Sequence, residues 1–244
     1  MYIVAEIGSN WTPGSIHSIY DMIGMVAECG VDAVKMQDFN PIGSMLRPDS
    51  WKARCRPWEL PFDWAKLAQA EATRRGLDFF TSVFTFDAIT RSRSNVGAGP
   101  YPIVKLASSE ITNQALLLAL ADVPQTQVHL ALGLVEWRAQ VHTAIARLGG
   151  HHLTLLACVA EYPVKRPLDL LDGFQLARTF GLPAGISSHV AYPEVLRVAT
   201  GAVSMGASVI EVHIRMKDTP PDCPDNGPWA LYPEQLKQLV KGVM

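Results

Sequence analysis

Two pairs of polar residues in the C-terminal third of the chain are spaced as extended segments space side chains on one face. Glu211 and His213 share such a face, and Ser187 and His189 share one in the preceding apolar run. Neutral imidazoles converging from neighbouring strands suit a divalent metal ion, whereas the plain alternative is that each ring only hydrogen-bonds a neighbour. Lys35 and Gln37 likewise share a face, with Val34 and Met36 on the other. A lysine directed into an enclosed mouth needs an anion. Lys105 precedes Ser108, Ser109 and Glu110, and Thr81 and Ser82 fall in another apolar run. Hydroxyls, backbone donors and two lysines at one opening describe a phosphate or carboxylate pocket. Each lysine could equally be a structural residue held in an ion pair by Glu6, Glu110 or Glu211.

The elements that must position these groups repeat one theme. At intervals of about thirty residues a short β-branched or aromatic run ends in polar residues and gives way to an amphipathic stretch. The runs predict strands over Tyr2 to Gly8, Ala33 to Phe39, Asp78 to Phe84, Ile103 to Ser108, Val128 to Gly133, Leu153 to Val159, Ala184 to His189 and Val209 to Ile214. Helices are expected over Ile16 to Cys29, Trp64 to Arg75, Glu136 to Leu148, Leu168 to Phe180 and Glu194 to Met205, followed by Gly30, Gly76, Gly149, Gly181 and Gly206 as C-terminal caps. Strict alternation implies a parallel sheet. Eight units favour a single-domain (β/α)8 TIM barrel over residues 1–244, with an open doubly wound sheet as the alternative. In such a barrel the chemistry sits at the C-terminal strand ends. Two post-strand connections, Asn40 to Leu60 and Arg215 to Trp229, exceed what a turn needs and are expected to cover a site.

Composition sets outer limits. The 244 residues are 48% hydrophobic and 18% charged, enough apolar material for one large core. A formal charge of -2 and scattered Lys and Arg argue against nucleic acid as a partner. The N-terminal strand pattern without a leader, and the lack of an apolar run near ~18 residues, predict a soluble cytoplasmic protein with no membrane partner. Cys29, Cys55, Cys158 and Cys223 show no CxxC pairing and are expected to be free thiols.

In order, VAEIGSN at 4–10, GVDAVKMQDF at 30–39, VKLASSEITN at 104–113, CVAEYP at 158–163, GISSH at 185–189, EVHI at 211–214 and PDCPDN at 221–226 resemble the sialic acid synthase (NeuB-like) family. These are phosphoenolpyruvate-condensing barrels that make nine-carbon keto sugar acids. The resemblance implies that His189 and His213 hold a divalent ion, Mn2+ first with Mg2+ or Co2+ as alternatives, with Glu6 nearby. It implies that Lys35, Ser82, Lys105, Ser108 and Ser187 contact phosphoenolpyruvate, and that Gln37, Glu110, Tyr162 and Asp225 surround a small sugar acceptor. Glu6, Glu110 and Lys105 are then the candidate catalytic residues, the carboxylates stabilising positive charge or moving protons. The implied reaction is attack by C3 of phosphoenolpyruvate on an open-chain aldose aldehyde, water addition at C2, and loss of phosphate through C–O cleavage.

Departures from the pattern are specific. The family's SDHT reads Ser187, Ser188, His189, Val190, and its EKHFT reads Glu211, Val212, His213, Ile214, Arg215. Its STG reads Ala131, Leu132, Gly133, and Ala160 replaces a commonly polar residue before EYP. The family's C-terminal antifreeze-like domain, which reaches into a partner's site, is expected to be absent. Trp51, Arg54, Arg56 and Trp58 could supply its acceptor contacts, or the tryptophans could simply pack on the helices. An altered acceptor is therefore expected, with a homodimer through the outer helices possible. The competing readings are a metal-dependent aldolase or lyase that does not use phosphoenolpyruvate, and a non-catalytic barrel subunit.

Overall fold

The β-branched runs pair as parallel strands because each is buried on both sides and is followed by a helix that returns the chain to the same end. The computed structural model describes residues 1–39, 49–93, 100–122, 127–133, 138–149 and 151–244. Within them β1 (Tyr2–Gly8), β2 (Ala33–Asp38), β3 (Asp78–Val83), β4 (Ile103–Leu106), β5 (Gln127–Ala131), β6 (His152–Ala157), β7 (Ala184–Ser188) and β8 (Val209–His213) form a closed barrel in sequence order. The (β/α)8 architecture is thus the observed one, and the open sheet is excluded by the pairing of β1 with β8. Several strands end one or two residues earlier than expected, for instance β4 at Leu106 and β7 at Ser188, because their last polar residues leave the ladder for the loops that build the site.

Around the barrel run α1 (Ile16–Ala27), α2 (Asp49–Cys55), α3 (Phe62–Arg74), α4 (Phe86–Arg93), α5 (Gln114–Ala121), α6 (Arg138–Arg147), α7 (Leu168–Arg178), α8 (Glu194–Ser204) and α9 (Pro233–Val243). Four helices lie beyond the expected five, and besides α2 each has a readable cause. The α5 run QALLLALA is apolar on every side and carries little periodicity, α4 is only 8 residues, and α9 follows the long last connection. The described part of the β2 connection contains α2 and a 3-10 turn at Arg56–Trp58, while residues 40–48 lie outside the described residues. Gly30, Gly76, Gly181 and Gly206 take left-handed φ after α1, α3, α7 and α8, whereas Gly149 does not.

Side-chain alternation sorts the barrel into two environments. Val34, Met36 and Val212 are fully or almost fully buried in the apolar core between strands and helices. The other parity points inward, and there the upper barrel is charged: Glu6, Lys35, Lys105 and Glu211 are all buried. Beside them Phe80 meets His129 edge to face, with ring centroids 5.5 Å apart. Among the described residues no helix is long and apolar enough to cross a membrane.

Candidate functional site

The C-terminal strand ends open into a cavity of about 420 Å³, in the range of small-molecule sites. Its floor follows from strand register. Glu6 on β1 stands beside Lys35 on β2 and His213 on β8, Gln37 beside Ser82 on β3, Ser82 beside Lys105 on β4, and Ser187 on β7 beside Glu211. Inward parity and adjacency together force these charges into contact.

The result is two interlocked ion pairs. Glu6 pairs with Lys35, and Glu211 Oε1 pairs with Lys105 and lies 3.6 Å from Lys35 Nζ. Hydroxyls fill the remaining bonds: Lys35 donates to Ser82 Oγ at 2.7 Å, Lys105 to Ser187 Oγ at 3.1 Å, and Ser187 to Glu211 Oε1 at 2.9 Å. Two ammonium groups and two carboxylates cancel, which is what makes their burial tolerable. Burial resists the charge on Glu211, but Lys105 and Lys35 outweigh it and hold its carboxyl well below the usual range. Burial pushes Lys35 down to about 7 against the pull of Glu211.

Lys105 lines the cavity, and an ammonium has three donors of which Ser187 and Glu211 take two. Among the described residues the third has no acceptor and is available to an incoming anion. Lys35, expected beside it as a ligand contact, is fully buried and does not line the cavity. The reason is register: Lys35 pairs with Phe80 on β3, whereas Lys105 pairs with Ser82, two residues nearer the mouth.

Above the floor stand the two histidines. The His189 and His213 ring centroids are 5.2 Å apart. Burial pushes both imidazoles down to about 3, so both are neutral at physiological pH. His189 Nδ1 lies 2.8 Å from the Val159 carbonyl, an acceptor only, which puts the proton on Nδ1 and leaves Nε2 with its lone pair. His213 Nδ1 is buried with no hydrogen-bond partner, and Asp225 Oδ1 is 4.0 Å away. Neutral rings, a fixed tautomer and an orphaned nitrogen fit a divalent cation, although no cluster of three or more ligating side chains forms among the described residues.

Asp225 reaches the site from the Arg215 to Trp229 connection, as expected for a covering segment. Its Oδ2 accepts from Ser9 N at 2.8 Å, Ser9 Oγ at 2.8 Å and Gln37 Nε2 at 3.2 Å. Asn10 Nδ2 ties the same segment down through the Ile214 carbonyl at 2.8 Å and the Asp225 carbonyl at 3.2 Å. Gly8 makes the approach possible: its φ is +55°, and a Cβ there would sit 2.4 Å from Asp225 Oδ2. Ser9 and Asn10 were not singled out from sequence, where a small polar pair after a strand carries no signal for a partner more than two hundred residues away.

Of the expected site residues, Glu6, Gln37, Ser82, Lys105, Ser108, Tyr162, Ser187, His189, His213 and Asp225 line this cavity. Tyr162 packs on His189 with centroids 4.0 Å apart and meets Trp229 at 5.4 Å. Glu110 is not among the lining residues. Its carboxylate is fully buried and accepts from Asn113 Nδ2 at 2.9 Å and Ser109 Oγ at 3.2 Å, and Asn113 caps α5. Held by these bonds, the Glu110 carboxylate braces the β4 connection.

The departures divide in the same way. Ser188, Val212, Ile214 and Arg215 do not line the cavity; Ser188 Oγ accepts from Val190 N, and Arg215 bonds Asn226 at 3.0 Å and covers the Tyr232 ring. Ala131 and Ala160 do line it, beside Cys158, so the β5–β6 wall offers methyl groups and a thiol. Trp58 is buried and donates to the Trp11 carbonyl at 2.9 Å, a packing role, while Trp51 and Arg54 reach the cavity from α2.

The family model described as NeuB family matches residues 22–244. The chain is 28% identical over 263 residues to N,N'-diacetyllegionaminic acid synthase of Legionella pneumophila, covering 99% of this chain and 71% of that protein. It is 26% identical over 259 residues to the spore coat polysaccharide biosynthesis protein SpsE of Bacillus subtilis, covering 100% of this chain and 66% of that protein. The chain therefore spans about two thirds of the length of these curated relatives. A solved N-acetylneuraminic acid (sialic acid) synthetase from Leptospira borgpetersenii in complex with citrate superposes with a TM-score of 0.83 at 25% identity, covering 99% of this chain and 82% of that one.

Proposed function

Because the chain belongs to the NeuB family, we propose that it condenses phosphoenolpyruvate with the aldehyde of an open-chain sugar, giving a keto sugar acid and phosphate, with an acceptor that differs from the family's usual one. In this reading residues 1–244 act as one catalytic barrel domain in the cytoplasm, with a homodimer possible. The observation that carries it is the neutral histidine pair standing above a lysine with one free donor, in a single cavity. Similarity to synthases of sialic acid type supports the substrate class.

His189 and His213 would hold the divalent ion, manganese by preference, which when bound supplies Lewis-acid polarisation of the acceptor aldehyde. The chain's own groups have separate work. Lys105, Ser108, Ser82 and Ser187 would grip the enol phosphate, Lys105 through its third donor. Lys35 would act from below, pairing with Glu6 and orienting Ser82. Glu6, at the cavity wall, would stabilise positive charge developing at C2 or take a proton from the water that adds there. Gln37, Tyr162 and Asp225 would receive the acceptor, with Asp225 already positioned by Ser9. C3 bonds to the aldehyde carbon, water adds at C2, and the C2–O bond breaks to release phosphate.

The test is phosphate release from phosphoenolpyruvate, screened over aldoses with and without MnCl2. A manganese-dependent hit is expected, lost in His189→Ala and in His213→Ala while circular dichroism stays unchanged. Turnover that persists in either variant sinks the metal assignment. The methyl-lined wall at Ala131 and Ala160 favours one second reading, a metal-dependent aldolase or lyase on a sugar or keto acid. Calorimetry that detects manganese but no phosphoenolpyruvate binding would select it.

A further inference from the structure

A helix on the outside of a barrel ordinarily carries a polar outer face, and α5 does not. Among the described residues QALLLALA is the one α-helix without a charged side chain. Leu118 on its outer side is 49% exposed, and Phe86 on neighbouring α4 is 47% exposed. Between the two helices lies a groove of about 460 Å³, lined chiefly by Phe86, Ile89, Leu118 and the alanines of α5, with Arg93 and Asp122 at one end. The exposure is concentrated. Among the described residues Met1 and Met244 are terminal and Tyr162 stands at the cavity; of the five other exposed large apolar side chains, Phe62, Leu67, Phe86 and Leu118 lie on the consecutive helices α3, α4 and α5. A single exposed leucine needs no explanation, but four such side chains on neighbouring helices mark a surface that is covered in use.

The charges select the occupant. All strands run parallel, so α4 and α5 descend in the same direction and finish at the same end of the barrel, where Arg93 closes α4 and Asp122 follows α5. A two-fold axis along the barrel direction, passing through the groove, lays α4 of one copy on α5 of the other. It sets Arg93 against Asp122 of the second copy, and Asp122 against the second copy's Arg93, so the surface is complementary to itself. An anionic lipid surface would call for a basic face, whereas this one mixes Lys66 and Arg93 with Asp63, Asp87 and Asp122. Three helices about 10 Å apart and about 12–20 Å long offer on the order of 500 Å² per copy, or ~1,000 Å² in total, the lower end for a specific interface. We propose that the α4–α5 groove is a self-association surface, occupied by the same groove of a second copy with Arg93 and Asp122 paired reciprocally across the two-fold. This gives a face to the homodimer of the functional reading and does not need its chemistry, since no residue of the groove lines the cavity at the strand ends.

The experiment is sedimentation velocity of the full chain over a concentration series from about 1 to about 200 µM, the range in which an interface of this size is expected to form. Wild type should pass from monomer to dimer. Leu118→Glu places a carboxylate in the groove twice per dimer and should raise Kd by about a hundredfold or more. Arg93→Asp and Asp122→Arg should each leave the chain monomeric, because each sets like charges together at both symmetry-related contacts. An equimolar mixture of those two variants should dimerise again, since every contact in the mixed pair joins opposite charges. Circular dichroism checks that each variant is folded. A wild-type chain that stays monomeric at the top concentration, including one that instead pellets with phosphatidylserine vesicles, would overturn the inference. So would a dimer that survives Leu118→Glu, or charge variants that stay monomeric when mixed. Phosphate release from phosphoenolpyruvate is read separately: its absence in a chain that dimerises sinks only the condensation reading, and its presence in a monomer sinks only the self-association surface.

Discussion

Replacing Gly8 by alanine tests whether the Asp225 segment is held as the geometry requires. Two costs are expected. An alanine at φ +55° gives up about 1–2 kcal/mol that glycine does not. The new methyl would also lie 2.4 Å from Asp225 Oδ2 and 3.1 Å from Cγ, so the carboxylate has to move. That oxygen is the single acceptor for Ser9 N, Ser9 Oγ and Gln37 Nε2, so displacement breaks at least one charge-assisted bond, worth roughly 1.5–3 kcal/mol. Gly8→Ala should therefore cost about 3–5 kcal/mol in all. In an Asp225→Ala background the obstacle is gone and only the backbone term remains. A double-mutant cycle by urea denaturation should then return a coupling of about 2 kcal/mol. A coupling below about 0.5 kcal/mol would falsify the claim that Gly8 is glycine to admit Asp225.

Two further outcomes follow from the buried charges. Lys105→Met leaves Glu211 with Lys35 alone at 3.6 Å and should cost about 3–5 kcal/mol, while adding Glu211→Leu should recover a large part of that loss; a double variant less stable than the single one would show that the pairs are not interdependent. His129, inside the barrel, is held down to about 4 by burial, with Glu211 opposing and Lys105 and Lys35 assisting. Its folded pKa lies below the unfolded value near 6.5, so between these values the unfolded chain binds the proton more readily and stability falls as pH is lowered from 6.5 toward 4, by on the order of 3 kcal/mol. His189 and His213, held lower still, add to the same slope, so His129→Asn should reduce that part of the curve of urea midpoint against pH without abolishing it, and an unchanged slope would remove His129 as a source.

Much of the barrel was legible because its signals are local. A two-residue alternation identifies strands, a glycine after an amphipathic run marks a helix end, and eight repeats of one unit leave few parallel folds. The same alternation told that Lys35 and Gln37, Ser187 and His189, and Glu211 and His213 point inward together. Helices without that alternation, such as the uniformly apolar α5, were not legible, since their stability comes from burial against neighbours.

Depth and partnership were beyond the sequence. Lys35 and Lys105 read alike, yet strand register sets Lys35 against Phe80 and Lys105 against Ser82, so one lysine underpins the floor and the other lines the cavity. Glu110 read like a catalytic acid, but the short turn at Ser108–Glu110 folds its carboxylate onto Asn113. Arg54 and Trp58 stood in one polar, aromatic stretch, and only packing sent the indole to the Trp11 carbonyl and the guanidinium to the opening. The sequence alone settled which residues face inward, because side-chain direction follows from each strand's own backbone period. Which of them meet, and at what depth, depended on the stagger between strands far apart in the chain, a quantity that exists only once the barrel has closed.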